Sequence, residues 1–155
     1  QFGFELAVWE KYLDETNTLL VLKPHFASRH LFDKLKSERI IYINDDQESD
    51  LNLFMKDVDV LITDYSGAYF DFKLLSKAII LAPFDLEEYI SFSRDLYIEY
   101  GSLEELKCEN WNEILIALKE NKFDLGVKAK SIFNDFYDGN SAERLLKAIQ
   151  GKVLN

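Results

Sequence analysis

Short apolar runs alternate with amphipathic stretches along the first half of the chain. The runs are rich in branched aliphatic residues and only four or five residues long, which is typical of buried strands. They lie at residues 19–22, 40–43, 58–62 and 79–82. Residues at helical spacing predict helices at about 4–14, 28–35, 51–55 and from Ala68 onwards. Because strands that alternate with helices over short connections pair in parallel, the pattern predicts an α/β fold: a Rossmann-like parallel sheet with flanking helices.

Helical faces and capping residues extend this prediction to both ends of the chain. The buried face of the first helix is expected to carry Phe4, Ala7, Val8 and Tyr12. Asn110 and Glu113 have the spacing of a capping box and predict another helix start. Residues 125–136 form a further helical pattern, and 97–100 have the character of a short edge strand. A last helix begins at Asn140 or Ser141, and four of its residues are expected to face the core: Ala142, Leu145, Leu146 and Ile149.

The composition is that of a single globular domain over residues 1–155. Hydrophobic residues make up 48% of the chain and aromatic residues 14%, enough to form a core. The net charge of -10 argues against binding of nucleic acid or of an anionic membrane through bulk charge. The single cysteine, Cys108, excludes an internal disulfide, and with two histidines there are few of the usual zinc ligands. No apolar run has the length of a membrane span.

The stretch that follows the third predicted strand is the main candidate for chemistry. Thr63, Asp64, Tyr65, Ser66 and Gly67, here called the 63–67 turn, combine hydroxyls, a carboxylate and a glycine before a predicted helix. Ligands of open α/β sheets bind at the carboxyl ends of strands, and a helix start offers N–H groups to a phosphate. The alternative is that Ser66 only caps the helix and Asp64 only ends the strand.

Lys23 and His25 come directly after the first predicted strand, on either side of Pro24. In a parallel sheet this position lies on the same edge as the 63–67 turn, so a lysine, a histidine and a helix start can converge on a diphosphate. A histidine also titrates near neutral pH and can protonate a departing phosphate. The alternative for His25 is an ordinary hydrogen-bonded histidine in a turn.

A second polar helix start lies near the C-terminus. Asp138, Gly139, Asn140 and Ser141 combine caps and hydroxyls, and Arg144 follows them. Considered locally, an ordinary helix-breaking turn is the favoured interpretation.

No ligand-binding role is assigned to the acidic clusters of the chain. Residues 45–50 lack the glycine and the terminal glutamate of a calcium loop, so a solvated face is favoured. Glu104 and Glu105 are interpreted as charges at a helix start.

Four stretches resemble the CDP-glycerol:poly(glycerophosphate) glycerophosphotransferases, the teichoic-acid polymerase family. They are residues 22–25, 59–66, 79–89 and 138–144, and they occur in the family's order over nearly the whole chain. The resemblance implies the C-terminal half of a GT-B fold, in which a Rossmann-like domain holds the nucleotide donor. An N-terminal domain that this chain lacks is expected to complete the cleft and to bind the polymer acceptor.

The resemblance also implies a reaction. The family transfers glycerol phosphate from CDP-glycerol, or in related members ribitol phosphate from CDP-ribitol, to a hydroxyl of a surface polymer and releases CMP. No metal or other cofactor is implied. His25 would be the catalytic residue, either stabilising charge on the diphosphate or protonating CMP. Lys23, the 63–67 turn and residues 138–141 would bind the donor.

The resemblance sets expectations about context as well. The enzyme is expected in the cytoplasm, or at the inner membrane face through other parts of a longer chain. No direct membrane contact and no nucleic acid binding are expected of this segment, and alone it is expected to lack turnover.

Three positions depart from the family pattern. Phe26 replaces a proline, Gly67 replaces a second serine, and Ala142 replaces one member of a serine pair. These departures bear on the donor's identity more than on the fold.

Alternative functions remain open at this point. One is a GT-B glycosyltransferase, in which Glu99 or Glu104 would bind the ribose of a nucleotide sugar. Another is a non-catalytic nucleotide-binding or interaction domain. A signalling receiver domain is disfavoured because it needs an acidic pair after the first strand, where this chain has Lys23 and His25.

Overall fold

The computed structural model describes residues 2–24, 37–43, 51–92, 96, 98–123, 136 and 138–153. Within these residues the chain forms six α-helices and five strands, with a 3₁₀ turn at Tyr100–Ser102. In chain order they are α1 (Leu6–Glu15), β1 (Leu20–Leu22), β2 (Ile40–Tyr42), α2 (Leu51–Met55), β3 (Val60–Thr63), α3 (Ala68–Lys73), β4 (Ala78–Leu81), α4 (Leu86–Phe92), β5 (Leu106–Lys107), α5 (Trp111–Glu120) and α6 (Ser141–Val153).

Every strand pair among the described residues is parallel, which confirms the predicted α/β fold. β1 pairs with β2, and β3, β4 and β5 form a second sheet in that order. Val60 lies opposite Ala78, and Ile80 lies opposite Leu106. All four residues of the central strand β4 are buried, as expected for a continuous apolar run covered on both faces.

Two hydrophobic clusters cover the two faces of the β3–β4 sheet. Ile80 belongs to the first cluster, with Trp9 of α1 and Ile114 of α5. Leu81 belongs to the second, with Phe72 of α3. This division follows from the geometry of a strand, in which successive side chains point to opposite faces. α1 and α5 therefore cover one face, while α2, α3 and the 3₁₀ turn cover the other.

The prediction for the buried face of α1 was partly wrong. Trp9 and Leu13 are the buried residues, at 1% and 2% exposure, whereas Val8 is 40% exposed and Ala7 is exposed as well. Phe4 lies partly buried, with its ring stacked on Trp9 at 5.6 Å between centroids. An indole buries much more apolar area than a valine or an alanine, so Trp9 sets the rotation of the helix.

The predicted edge strand at 97–100 was also wrong. Within the described part of that segment, Tyr100 begins the 3₁₀ turn, and the strand that pairs with β4 on the side opposite β3 is β5, Leu106–Lys107. The Cys108 N–H donates to the Leu81 carbonyl at 2.9 Å and continues this pairing. The Tyr100 ring is buried in the second cluster instead, so packing of the ring outweighs strand propensity there.

α6 starts where capping predicted, but its apolar residues do not face the core. Leu145, Leu146 and Ile149 are 62%, 54% and 51% exposed, and Ala142 is exposed too. The helix predicted at 28–35 lies outside the described residues, as do residues 125–135 of the helical pattern predicted at 125–136, and Phe136 is not helical and is 60% exposed. None of the described helices is both long enough and apolar enough to span a bilayer.

Candidate functional site

The 63–67 turn joins the carboxyl end of β3 to α3, as predicted. Thr63 ends the strand and is buried at 7% exposure, and its carbonyl accepts from the Ala82 N–H at 2.8 Å. Asp64, Ser66 and Gly67 are exposed, and Tyr65 is half-buried. The surface that the turn offers to a ligand is therefore made by Asp64, Ser66 and Gly67.

Hydrogen bonds to side chains of the turn use one N–H group of the turn and the first N–H group of α3. The Ser66 N–H donates to Asp64 Oδ1 at 3.1 Å, and the Ala68 N–H donates to Ser66 Oγ at 3.3 Å. Ser66 thus acts as a local cap just before Gly67, the N-cap residue of α3, while Asp64 accepts within the turn; capping by Ser66 was the alternative to a phosphate-binding role. The Ser66 hydroxyl accepts in this arrangement, and its own O–H proton can be donated to an anion. Capping and phosphate binding are therefore compatible at Ser66.

Three tyrosines, Tyr65, Tyr89 and Tyr100, form an aromatic cluster that includes one residue of the 63–67 turn. The Tyr65 ring stacks on Tyr89 at 4.3 Å between centroids, and Tyr100 meets it edge-on at 5.5 Å. The Tyr65 hydroxyl donates to Asp85 Oδ1 at 3.0 Å. Burial, followed by the hydrogen bond and charge of Asp85, raises the pKa of Tyr65, so this hydroxyl remains a donor at neutral pH. The cluster joins the turn to α4, a link that sequence spacing does not indicate.

Tyr100 connects the 63–67 turn to the 3₁₀ turn at Tyr100–Ser102. Its hydroxyl donates to the Asp64 carbonyl at 3.2 Å across a separation of 36 residues. Burial, followed by the negative charges of Asp64 and Glu105, raises the pKa of Tyr100. The phenol therefore stays protonated and keeps donating over the physiological pH range.

A buried ion pair lies next to this network, between Lys73 of α3 and Glu105. Both residues are buried, at 7% and 6% exposure. The Lys73 ammonium pairs with Glu105 Oε1, and the Tyr69 hydroxyl donates to Oε2 at 3.0 Å. Burial raises the pKa of Glu105, but the hydrogen bonds and charge of Lys73 together with other hydrogen bonds outweigh it, and the net pKa is lowered. The interpretation of Glu105 as a charge at a helix start was therefore wrong.

The predicted catalytic histidine, His25, lies outside the described residues, as does Phe26. Lys23 and Pro24 are described, and Lys23 is exposed directly after β1. β1 reaches the core shared with the turn's strand, because Leu20 packs against the first cluster together with Val60 and Ile62 of β3. β1, which precedes Lys23, therefore packs on the same core as β3, which precedes the 63–67 turn.

The second polar helix start is held by an ion pair of its own. Arg144 donates to both carboxylate oxygens of Asp138, at 2.8 and 2.9 Å, and the Asn140 N–H donates to Oδ1 at 3.1 Å. These hydrogen bonds, with that of Arg144 first, lower the pKa of Asp138. Gly139 has a φ of +73°, which favours glycine. Among the described residues, the polar contacts of Asp138 stay within this segment, as expected for a helix-start turn.

The described part of the chain contains no group of three or more histidine, cysteine, aspartate or glutamate side chains arranged to hold a metal ion.

Comparison with known proteins gives consistent matches. The sequence model of the family described as CDP-Glycerol:Poly(glycerophosphate) glycerophosphotransferase matches residues 1–151. The teichoic acid glycerol-phosphate primase of Bacillus subtilis is 32% identical over 138 residues, which cover 87% of this chain and 35% of that protein. The teichoic acid ribitol-phosphate polymerase TarL of Staphylococcus aureus is 30% identical over 147 residues, covering 91% of this chain and 25% of that protein.

A solved structure supports the fold. The structure of the wall teichoic acid polymerase TagF matches with a TM-score of 0.66 and 19% identity, covering 98% of this chain and 39% of that chain. This likeness confirms the predicted fold class, a Rossmann-like sheet resembling half of a GT-B fold. The chain spans 25% to 39% of the length of these three proteins.

Proposed function

Because the chain belongs to the CDP-glycerol:poly(glycerophosphate) glycerophosphotransferase family, we propose that it is the donor-binding half of a CDP-alditol phosphotransferase. The reaction transfers an alditol phosphate to a hydroxyl of a cell-surface polymer and releases CMP, in the cytoplasm. The match over residues 1–151 is the observation that carries the proposal. The relatives include both a glycerol-phosphate and a ribitol-phosphate enzyme, so CDP-glycerol and CDP-ribitol are both candidate donors.

The chemistry requires stabilisation of a diphosphate and of its leaving group. The acceptor oxygen attacks the phosphorus that bears the alditol, loses its proton and forms the new O–P bond. The bond from that phosphorus to the bridging oxygen breaks, and CMP leaves with this oxygen and its electron pair. Donors placed in advance around the developing charge are the main source of catalysis in phosphoryl transfer.

The proposal gives these tasks to residues at the carboxyl ends of β1 and β3. Ser66 donates its hydroxyl proton to a phosphate oxygen while it accepts from the Ala68 N–H. Lys23 supplies positive charge in a chain whose net charge is -10. His25 stabilises the diphosphate or protonates CMP. Residues 138–141 are not needed in this scheme, because their contacts are those of a helix start.

Calorimetric titration tests the donor site. The protein is titrated with CDP-glycerol, CDP-ribitol, CMP and a UDP-sugar, and so are the variants Ser66→Ala and His25→Ala. A hydrogen bond to a charged group is lost in Ser66→Ala, so CDP-alditol affinity should fall about tenfold or more. Ser91→Ala is the matched control, because Ser91 is also exposed and donates to the Glu87 carbonyl within α4, at 2.7 Å.

The outcomes separate the candidate functions. Binding of a UDP-sugar alone would favour a nucleotide-sugar glycosyltransferase, and absence of binding by every nucleotide would contradict a donor site. In a longer chain that includes the second half of the cleft, His25→Ala should lose transfer activity while its melting temperature is unchanged. Unfolding of that variant would make His25 a structural residue. Turnover by the 155-residue chain alone would contradict the need for a second half of the cleft.

A further inference from the structure

Two side-chain hydrogen bonds connect the 63–67 turn to distant parts of the chain, from the Tyr65 hydroxyl to Asp85 and from the Tyr100 hydroxyl to the Asp64 carbonyl, and the second one reaches the main chain of the turn. The bonds from the Ser66 and Ala68 N–H groups are local, because their acceptors lie two residues away. The Asp64 carbonyl instead receives the Tyr100 hydroxyl at 3.2 Å. A peptide unit is planar, so holding this carbonyl also fixes the direction of the Tyr65 N–H on the other side of the same unit.

Tyr100 is well placed to act as a rigid donor. It is 7% exposed, and its ring belongs to the buried cluster that includes Phe72 and Leu81. Packing of the ring in this cluster sets the position of the hydroxyl before any ligand arrives. The ring edge also contacts Tyr65 at 5.5 Å between centroids, so Tyr100 limits movement on both sides of the Asp64–Tyr65 peptide.

We propose that Tyr100 is a positioning residue, which holds the 63–67 turn in its donor-binding conformation through the hydrogen bond from its hydroxyl to the Asp64 carbonyl. Its effect on nucleotide affinity rests on the proposed function. Its effect on the turn can be measured without any ligand. Tyr100 does not touch the donor in this scheme and acts through Asp64 and Ser66.

The variant Tyr100→Phe isolates the hydroxyl, because it retains the ring in the core and removes only the donor. Tyr69→Phe is a matched control. Tyr69 is 6% exposed in the same cluster, and its hydroxyl donates to Glu105 Oε2 at 3.0 Å and not to the turn. Both variants lose one buried hydroxyl, but only Tyr100→Phe loses a bond to the turn.

Two measurements test the proposal on the 155-residue chain. The first is hydrogen–deuterium exchange of a peptide covering residues 61–70, with urea denaturation to establish that each variant is folded. In Tyr100→Phe the amides of Ser66 and Ala68 should exchange about three- to tenfold faster, which is the effect of one net hydrogen bond. The second is titration with CDP-glycerol and CDP-ribitol, in which affinity should fall by a similar factor. Tyr69→Phe should change neither quantity.

Each outcome supports or overturns the proposed role of Tyr100. Unchanged exchange in Tyr100→Phe would overturn the proposal, and so would equal acceleration in Tyr69→Phe, which would indicate general loosening of the core. Faster exchange with unchanged donor affinity would overturn the link from the turn to the donor. If the unaltered protein binds no CDP-alditol but exchange responds to Tyr100→Phe, the hold on the turn is supported and the proposed function fails.

Discussion

The buried pair of Lys73 and Glu105 allows a quantitative test of the structure around the site. Lys73→Met keeps most of the aliphatic volume and removes the ammonium. Glu105, which is 6% exposed, is then left with the Tyr69 hydroxyl as its remaining side-chain partner among the described residues. Removing one partner of a buried ion pair costs about 3–5 kcal/mol, because the other charge stays buried without compensation. Domains of this kind have a free energy of unfolding of about 5–15 kcal/mol, so the loss is large.

The unaltered protein and Lys73→Met are expected to differ in how the contribution of Glu105 to the free energy of unfolding changes with pH. The folded pKa of Glu105 lies below its ordinary value of 4.5, so the unaltered pair stabilises the protein above about pH 4.5. That contribution is lost as the pH falls through the folded pKa. In Lys73→Met the hydrogen bond and the charge of Lys73 are gone, and burial, the largest influence on Glu105, is expected to outweigh the remaining hydrogen bonds and to raise the Glu105 pKa above the unfolded value. The variant therefore loses stability as the pH rises through 4.5, and its deficit should be larger at pH 7 than at pH 4.5.

Urea denaturation followed by circular dichroism measures the effect at both pH values. Lys11→Met is the matched control, because Lys11 pairs with Glu15 at 3.8 Å with both side chains mostly exposed. It should cost less than about 1 kcal/mol. Adding Glu105→Gln to Lys73→Met should recover most of the loss, since no charge then remains buried. A deficit below about 1 kcal/mol for Lys73→Met, or one independent of pH, would refute the reasoning.

Two further substitutions test local structure. Asn110→Ala removes the side-chain acceptor of the Glu113 N–H, at 3.0 Å, and should lower the free energy of unfolding by about 1 kcal/mol in urea denaturation; no change would mean that the cap contributes nothing here. Gly67→Ser introduces the second serine that the sequence resemblance predicts at this position, and a Cβ at Gly67 meets no atom within 4 Å, with φ at -58°. Its stability should change by less than about 0.5 kcal/mol, and calorimetry should show CDP-alditol binding at least as tight as before; weaker binding would exclude a useful hydroxyl at this position.

Much of the fold could be predicted because it depends on local patterns. Short continuous apolar runs located β1 to β4, and helical spacing after the capping box located most of α5. The capping box at Asn110 and Glu113 was confirmed, with the Glu113 N–H bonded to the Asn110 side chain. The position of the 63–67 turn at the carboxyl end of β3 was likewise correct, because a polar, glycine-containing stretch between a strand and a helix is itself a local signal.

Each wrong prediction concerns a feature that depends on contacts with residues far away in the sequence. Trp9 outweighed Ala7 and Val8 because its indole packs against Phe4 and Trp111 in the first cluster. Two-residue β5 has no periodicity of its own, and only its pairing with β4 identifies it. For α6, spacing defined an apolar face but not whether another element covers it, and in this structure that face is exposed.

The same distinction separates the residues of the site from their arrangement. The chemical character of Ser66, Asp64, Lys23 and His25 could be inferred from sequence, since residue type and strand ends are local properties. The partners that hold the turn are 20 to 36 residues away, in the Tyr65–Asp85 and Tyr100–Asp64 bonds. Burial between packed layers also made Glu105 an ion-pair partner of Lys73 and left Glu104 exposed. Composition and spacing do not encode these contacts, because they form only when the layers close over the sheet.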